Sequence, residues 1–316
     1  MRVLVTGGAG FIGSHLTDRL LQNGYSTIVF DNLLSGRIDN LKEAFKNPDF
    51  TFKQIDLCRK DDLFKAMEGF NFDIVFHFAA NSDISKGIEN SDIDFNNTFL
   101  SSYNVLLAMK KYGIKKFVFA SSSAVFGERK DSASEDSAIA PISNYGAAKA
   151  ASEAFISSFC ESCNIQSLIL RFPNVIGERA SHGVIYDFIR KLNKNPYELT
   201  VLGNGKQAKP YLYVQELIDA VLFILKNTDE KIGYYNIAPE SQVLVSHIAE
   251  IVIKAMKLNA RIKYTGSDRG WTGDVPKFSY CLDKIHNLGW RAQLTSDEAV
   301  QKAVKCILEK DNICRQ

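Results

Sequence analysis

Several features are scarce in this sequence, and each scarcity excludes a class. No apolar run approaches the about 18 residues that a membrane-spanning helix requires. The chain opens directly on a short core strand, so a cytoplasmic protein with no membrane partner is expected. Basic and acidic residues nearly balance, 38 against 36, and are dispersed without a basic block, which argues against a nucleic-acid partner. Six cysteines in 316 residues read as reduced thiols, not a disulfide framework. Cys160 and Cys163 form a C-x-x-C, but no second pair has ligand spacing, so half of a tetrahedral zinc set is missing and no metal is expected. Internal repeats and low-complexity segments are absent. What remains, 46% hydrophobic and 23% charged, is the composition of an ordinary globular protein with room for a large core.

The informative stretch is the first. Arg2 to Thr6 is an apolar, β-branched run that predicts a buried strand, and Phe11 to Leu21 has helical spacing. Gly7, Gly8, Gly10 and Gly13 lie at the junction. A strand turning abruptly into a helix leaves unpaired N–H groups and the positive end of the helix dipole at the turn, and glycines let a pyrophosphate approach. The spacing G-x-x-G-x-x-G, with a strand before and a helix after, predicts a dinucleotide site in which Gly7, Gly10, Phe11, Ile12 and Gly13 meet the phosphates. Asp31 ends the next strand. Its carboxylate suits the adenosine ribose hydroxyls and repels a 2′-phosphate, favouring NAD; Arg37 is a counterweight, and a plain turn role for Asp31 is the alternative.

Further strands are expected at Thr51 to Ile55, Asp73 to Phe78 and Lys116 to Ser121, and a sixth runs into RFPNVIG. Polar Asn32, Ser35 and Gly36 read as a loop over the adenosine. Asp56 and Leu57 either cover the adenine or merely end a strand. Phe78, Ala79 and Ala80 follow a strand where small residues admit a cofactor, and His77 reads more readily as a core histidine. Ser91 to Tyr112 predicts one long helix ended by Gly113, with Asn97 inside it.

The fifth strand delivers Ser121, Ser122 and Ser123 to the edge where open α/β sheets bind ligands. Tyr-x-x-x-Lys occurs three times, at Tyr112/Lys116, Tyr145/Lys149 and Tyr280/Lys284. Only Tyr145 and Lys149 open a helix directly after the serine strand, where i, i+4 spacing stacks both on one face. Removing hydride from an alcohol carbon requires a base for the hydroxyl proton. A free tyrosine ionises only near pH ~10, and an ammonium beside it brings that value down. Lys149 supplies the ammonium, and Ser122 or Ser123 holds the substrate oxygen.

TGGAGFIGSH, DNLLSGR, HFAA, SSSAVFG and YGAAK, in this order, resemble the extended short-chain dehydrogenase/reductases, within the NAD-dependent nucleotide-sugar epimerase/dehydratase group and nearest in pattern to UDP-glucose 4-epimerases. The resemblance implies an α/β fold, a doubly wound parallel Rossmann sheet with a smaller, discontinuous C-terminal substrate-binding region. Residues 1–172 are the NAD-binding domain, about 205–240 return to it, and 173–316 are mainly the nucleotide-sugar-binding region. It also implies NAD as cofactor, catalytic Ser122, Tyr145 and Lys149, Asn97 near the cofactor, and a homodimer built from the two long helices around Asn97 and Tyr145. Substrate contacts are implied for Ser82, Ser122, Ser123, Asn174, Lys209 and Arg269.

Departures from the family pattern carry information. The Asp-Glu pair that dehydratases place after the catalytic hydroxyl is here Ser123 and Ala124, which argues against dehydration and decarboxylation. Phe126 replaces a usual tyrosine. Lys209-Pro210 stands where the family has Arg-Asp, so a point charge replaces a bidentate fork. Arg269 differs in its offset from Gly273-Asp274. Trp271 either stacks on a base or is exposed surface. The expected activity is reversible C4 oxidation of a nucleotide sugar by bound NAD, giving an epimerase acting through a 4-keto sugar. A C4 dehydrogenase that releases the ketone is the alternative, and a non-catalytic dinucleotide sensor a more distant one.

Overall fold

The computed structural model describes residues 1–270 and 273–313, so the expectations at Trp271 and Cys314 lie outside the described residues. The β-branched run at the start forms β1 (Arg2–Thr6), and the helical spacing after it forms α1 (Phe11–Gln22). The chain continues through β2 (Ser26–Asp31), β3 (Phe50–Gln54), α2 (Lys60–Met67), β4 (Ile74–His77), α3 (Ile84–Glu89), α4 (Ser91–Asp94), α5 (Ser101–Tyr112), β5 (Lys116–Ser122), α6 (Asn144–Cys163) and β6 (Gln166–Phe172). Beyond it lie β7 (Asn174–Ile176), α7 (Val184–Lys194), β8 (Glu198–Val201), β9 (Ala208–Lys209), β10 (Tyr211–Tyr213), α8 (Val214–Asn227), β11 (Ile232–Asn236), β12 (Val243–Leu244), α9 (Val245–Ala255), β13 (Arg261–Tyr264), α10 (Asp283–Leu288) and α11 (Ser296–Ile313).

The chain divides into two units. The first comprises Met1–Gly127, Ile139–Arg171 and Val221–Tyr235. It carries a seven-stranded parallel sheet in the order β11-β6-β5-β4-β1-β2-β3. Order reverses between β1 and β4, the switch point at which doubly wound sheets bind ligands beyond the strand C-termini. The registers Thr6↔Phe30 and Thr6↔His77 bring three strand ends together there. Strands covered on both faces lose their polar alternation, and Val3, Leu4 and Val5 are buried without exception.

Between α4 and α5 the backbone is π-helical over Phe95–Leu100. The single helix expected over Ser91 to Tyr112 is therefore interrupted, and the interruption contains Asn97. Such wide turns are rare and cluster at functional sites. Gly113 does end α5, in the left-handed conformation.

The second unit comprises Glu128–Ala138, Phe172–Ala220 and Asn236–Gln316. Its strands pair two by two: β10 with β7, β13 with β8, both parallel, and β12 antiparallel to β9. The apolar face of α7 (Ile185, Phe188, Leu192) packs with Ile248 and Val252 of α9 and Val300 and Val304 of α11 in one core. Among the described residues no helix is long and apolar enough to cross a membrane.

Candidate active site

The glycine turn is shaped by backbone crowding. Gly7 has φ +71°, and a Cβ there would lie 2.6 Å from the backbone nitrogen of Ala79. The turn after β1 and the Phe78-Ala79-Ala80 segment after β4 thus touch backbone to backbone, which only glycine and small neighbours permit. A Cβ at Gly13 would collide with the Gly7 carbonyl. α1 begins at Phe11 with Gly10 as its N-cap, and no side chain caps it. Its first N–H groups, those of Phe11 and Ile12 included, are offered as an uncapped helix terminus suited to a pyrophosphate.

Asp31 closes the cradle. Its Oδ2 accepts from the Ala9 N–H at 2.9 Å and its Oδ1 from the Leu33 N–H at 2.8 Å. Burial pushes its carboxyl up, while those two backbone donors pull it down. A carboxylate has about four acceptor positions, so both oxygens retain capacity for ribose hydroxyls. Asn32 accepts from the Leu34 N–H through Oδ1, and Gly36 lies so close to Asp31 that a Cβ would come within 2.9 Å of its Oδ1. Ser35 is exposed. These residues fit an adenosine held at the β2 end, and no part of the cradle conflicts with a dinucleotide.

The adenine-side pair separates. Asp56 takes the Cys58 N–H through Oδ1 at 3.0 Å, whereas the Leu57 side chain is buried in the core with Leu63 and Val105. Leu57 is thus a core residue and not part of a surface cover. The Asn97 amide oxygen lies 3.9 Å from the Cys58 sulfur.

Ser122, Tyr145 and Lys149 are brought together. Ser143 caps α6, its hydroxyl accepting from the Gly146 N–H at 3.1 Å. Gly146 packs so tightly on the Ala124 carbonyl that a Cβ would collide with it, which seats the helix start on the turn following Ser122. Ser122 Oγ accepts from the Ala124 N–H at 3.2 Å, and the Ser122 hydroxyl is near enough to the Tyr145 phenol to pull its value down. Lys149 Nζ donates to the Ala120 carbonyl at 2.5 Å and lies 5.9 Å from the centre of the Tyr145 ring. Of the three Tyr-x-x-x-Lys sequences, only this one has both members on a single helix. Burial dominates the electrostatics of Tyr145 and Lys149. It pushes the Tyr145 phenol up to about 12, against the pull of Ser122. It draws the Lys149 ammonium down to about 7, opposed by the charges of Glu153 and then Asp94.

Two neighbours prove to be structural. His77 is fully buried, stacked against Phe117 and Phe119, and burial draws it down to about 3, so it is a neutral core residue. Phe126 is fully buried with the Arg171 guanidinium 4.9 Å over its ring, so the aromatic that lacks a hydroxyl faces a core cation. Ser82 is exposed in the loop before α3, and Ser123 opens the short turn after β5.

In the second unit the expected substrate residues cluster on β7, β9 and the segment before α10. Asn174 and Tyr211 are partners in the β7–β10 register. Lys209 is ion-paired with Asp274, a carboxylate only 5% exposed that also takes the Gly270 N–H at 2.9 Å. Arg269 pairs with Glu128 at 2.6 Å. Both cations expected at a phosphate are therefore already neutralised by carboxylates. Asp274 and Glu128 lie 65 and 141 residues from these cations along the chain, beyond the reach of any local sequence signal.

The sequence model of the NAD dependent epimerase/dehydratase family matches residues 3–238. A crystal structure of a UDP-galactose 4-epimerase is 38% identical, with a TM-score of 0.88 over 98% of this chain and 99% of that one. The UDP-glucose 4-epimerase of Thermus thermophilus in complex with NAD is 29% identical, with a TM-score of 0.86 over 96% and 98%. The dTDP-D-glucose 4,6-dehydratase of Mus musculus is 30% identical over 96% of this chain and 88% of its own length.

Proposed function

Since this chain belongs to the NAD dependent epimerase/dehydratase family, with NAD as its cofactor, we propose that it interconverts C4 epimers of a nucleotide sugar through a 4-keto sugar. The observation that carries this reading is the convergence of Ser122, Tyr145 and Lys149 at the β5 edge, with no acidic side chain following Ser122. A base and an oxygen holder suffice to oxidise C4 and reduce it again. Elimination of water needs an additional acid and base, and Ser123 and Ala124 are neither. Bound NAD supplies the hydride acceptor and, in its oxidised form, a positive ring.

Tyr145 takes the proton from the C4 hydroxyl and returns it when the ketone is reduced from its other face. Ser122, beside the phenol, holds the same oxygen in line. The Lys149 ammonium stabilises the phenolate. Asn174, Lys209 and Arg269 are the proposed contacts of the sugar nucleotide. Its diphosphate competes with Asp274 and Glu128 for the two cations.

A homodimer belongs to this reading. Phe95, Phe99, Tyr103 and Phe155 form a contiguous aromatic cluster from the π-helical turn, α5 and α6, with Phe95 53% and Phe155 41% exposed. An exposed aromatic cluster of this kind suits burial against a second copy.

The deciding experiment incubates the NAD-loaded protein with UDP-glucose, UDP-galactose, UDP-N-acetylglucosamine, UDP-glucuronic acid and dTDP-glucose, following products and reduced-nicotinamide absorbance. A C4 epimer with no net reduced cofactor is the expected result. A released ketone with accumulating reduced cofactor would instead establish a C4 dehydrogenase, and a 4-keto-6-deoxy product a dehydratase.

A further inference from the structure

On α6, Tyr145, Lys149 and Glu153 follow one another at i, i+4 spacing and fall on one stripe. Lys149 and Glu153 are each 2% exposed. Ionic groups leave water at high cost unless partnered. Lys149 Nζ reaches the Ala120 carbonyl and the faces of Phe119 and Tyr145, 4.7 and 5.9 Å from the ring centres, and no ion pair holds it among the described residues.

Glu153 is held far more firmly. Its Oε1 accepts from the Ser121 hydroxyl at 2.5 Å and from Arg171 Nε at 3.0 Å, and its Oε2 from Arg171 Nη2 at 2.6 Å. Arg171 is fixed in turn, its guanidinium 4.9 Å from the rings of both Phe126 and Tyr234. Ala120, Ser121 and Ser122 are consecutive on β5. The first accepts a hydrogen bond from the Lys149 ammonium through its carbonyl, the second donates to Glu153, and the third neighbours the Tyr145 phenol. A fork-bound carboxylate with no mobility is what a fixed field at the lysine requires.

We propose that Glu153 is a positioning residue for the Tyr145–Lys149 pair, the buried counter-charge that keeps the Lys149 ammonium protonated and, through Ser121, the brace of the strand end that presents Ser122. Lys149 lies over the Tyr145 ring, and the charged groups whose fields reach it are Glu153 on its own helix and Asp94 at the end of α4, while its own charge acts on the neutral His77 of β4. Arg171 lies beyond the carboxylate on β6. Of the two anions that oppose the pull of burial on Lys149, Glu153 contributes more than Asp94. The inference rests on reading Tyr145 and Lys149 as the catalytic pair.

Glu153→Gln tests it, because the amide oxygen still accepts from Ser121 while the charge is lost. In NAD-saturated protein labelled at lysine 13Cε, the Lys149 signal, assigned by its loss in Lys149→Arg, should titrate about one pH unit or more below wild type. The alkaline limb of UDP-galactose turnover should move down in parallel. A merely structural Glu153 would lower turnover equally at every pH. An unchanged Lys149 midpoint overturns the proposal. Should the unpaired Arg171 prevent folding, Glu153→Gln with Arg171→Gln carries the same expectation; if neither variant folds, Glu153 is a folding residue only and the proposal fails. A shifted midpoint in a protein that turns over no nucleotide sugar would overturn the epimerase reading and leave this inference standing.

Discussion

Thr6 and His77 face each other in the register of β1 and β4, and the threonine hydroxyl meets the histidine Nδ1 at 2.7 Å. On the other side of the ring, Nε2 lies 2.9 Å from the Ser102 hydroxyl, whose own proton goes to the Thr98 carbonyl at 2.5 Å. Ser102 has no second proton to give, so the histidine proton sits on Nε2 and the Thr6 hydroxyl donates to Nδ1. This chain links the sheet switch point to the π-helical turn that carries Asn97. It consumes every hydrogen-bonding position of His77, which leaves none for catalysis.

The neutral His77 predicts a pH dependence of stability. Its value lies near 3 in the folded chain against about 6.5 unfolded, so the unfolded state binds the extra proton between these limits. Stability conferred here is present above the unfolded value and is lost as pH falls through this window. The slope is up to about 1.4 kcal/mol per pH unit. Urea denaturation across the window should show that slope in wild type, and His77→Phe should flatten it.

His247 predicts the opposite sign. It lies between Glu250 at 3.1 Å and Asp297 at 2.8 Å, and these partners, Glu250 foremost, hold its imidazolium above the usual value. Its contribution is complete below the unfolded value near about 6.5 and is lost as pH rises through the folded one. Because the side chain is half exposed, the effect is small and fades with salt. An NMR titration of His247 should return toward the ordinary value in Glu250→Gln.

Tyr145→Phe should reduce turnover of the epimerised sugar by about 10²- to 10⁴-fold. NAD retention should be unchanged, because the glycine cradle and Asp31 are untouched. Measuring bound nucleotide and turnover on one preparation separates the two; residual turnover within tenfold of wild type (order of magnitude) would remove Tyr145 from the role of base.

Gly7→Ala should act on cofactor retention and stability together. The substituent would need φ +71° and would sit 2.6 Å from the Ala79 nitrogen, where backbone, not a flexible side chain, must yield. A loss of about 1–3 kcal/mol is expected by denaturant unfolding, with bound NAD lost on gel filtration.

Lys209→Met should destabilise the second unit, because it leaves Asp274 buried without its cation. About 3 kcal/mol is expected. Pairing it with Asp274→Asn should recover most of that stability without recovering substrate affinity, and a KM restored to wild type in the double variant would show that Lys209 does not meet the substrate.

Local signals carried the cofactor half. Gly7 and Gly13, Asp31 and the HFAA segment lie at strand ends, where periodicity and turn chemistry are read within a few residues. The Tyr145–Lys149 pair was readable because helical spacing places i and i+4 on one face. The same arithmetic, carried one more turn, reaches Glu153. The burial of Leu57 and Phe126 was not readable, because position along the chain cannot distinguish a side chain that faces a loop from one that faces the core.

From its own periodicities the sequence determined the strand-turn-helix at the start, the serine-bearing strand and the capped helix after it. All rest on interactions within one element or its ends. Tertiary structure alone decided the rest: that Gly7 touches Ala79, that Asn97 sits in a π-helical turn, that Lys209 and Arg269 have already met Asp274 and Glu128, and that Glu153 lies in the fork of Arg171. Each joins residues distant in sequence, and burial there, more than residue type, sets whether a charge is free to act.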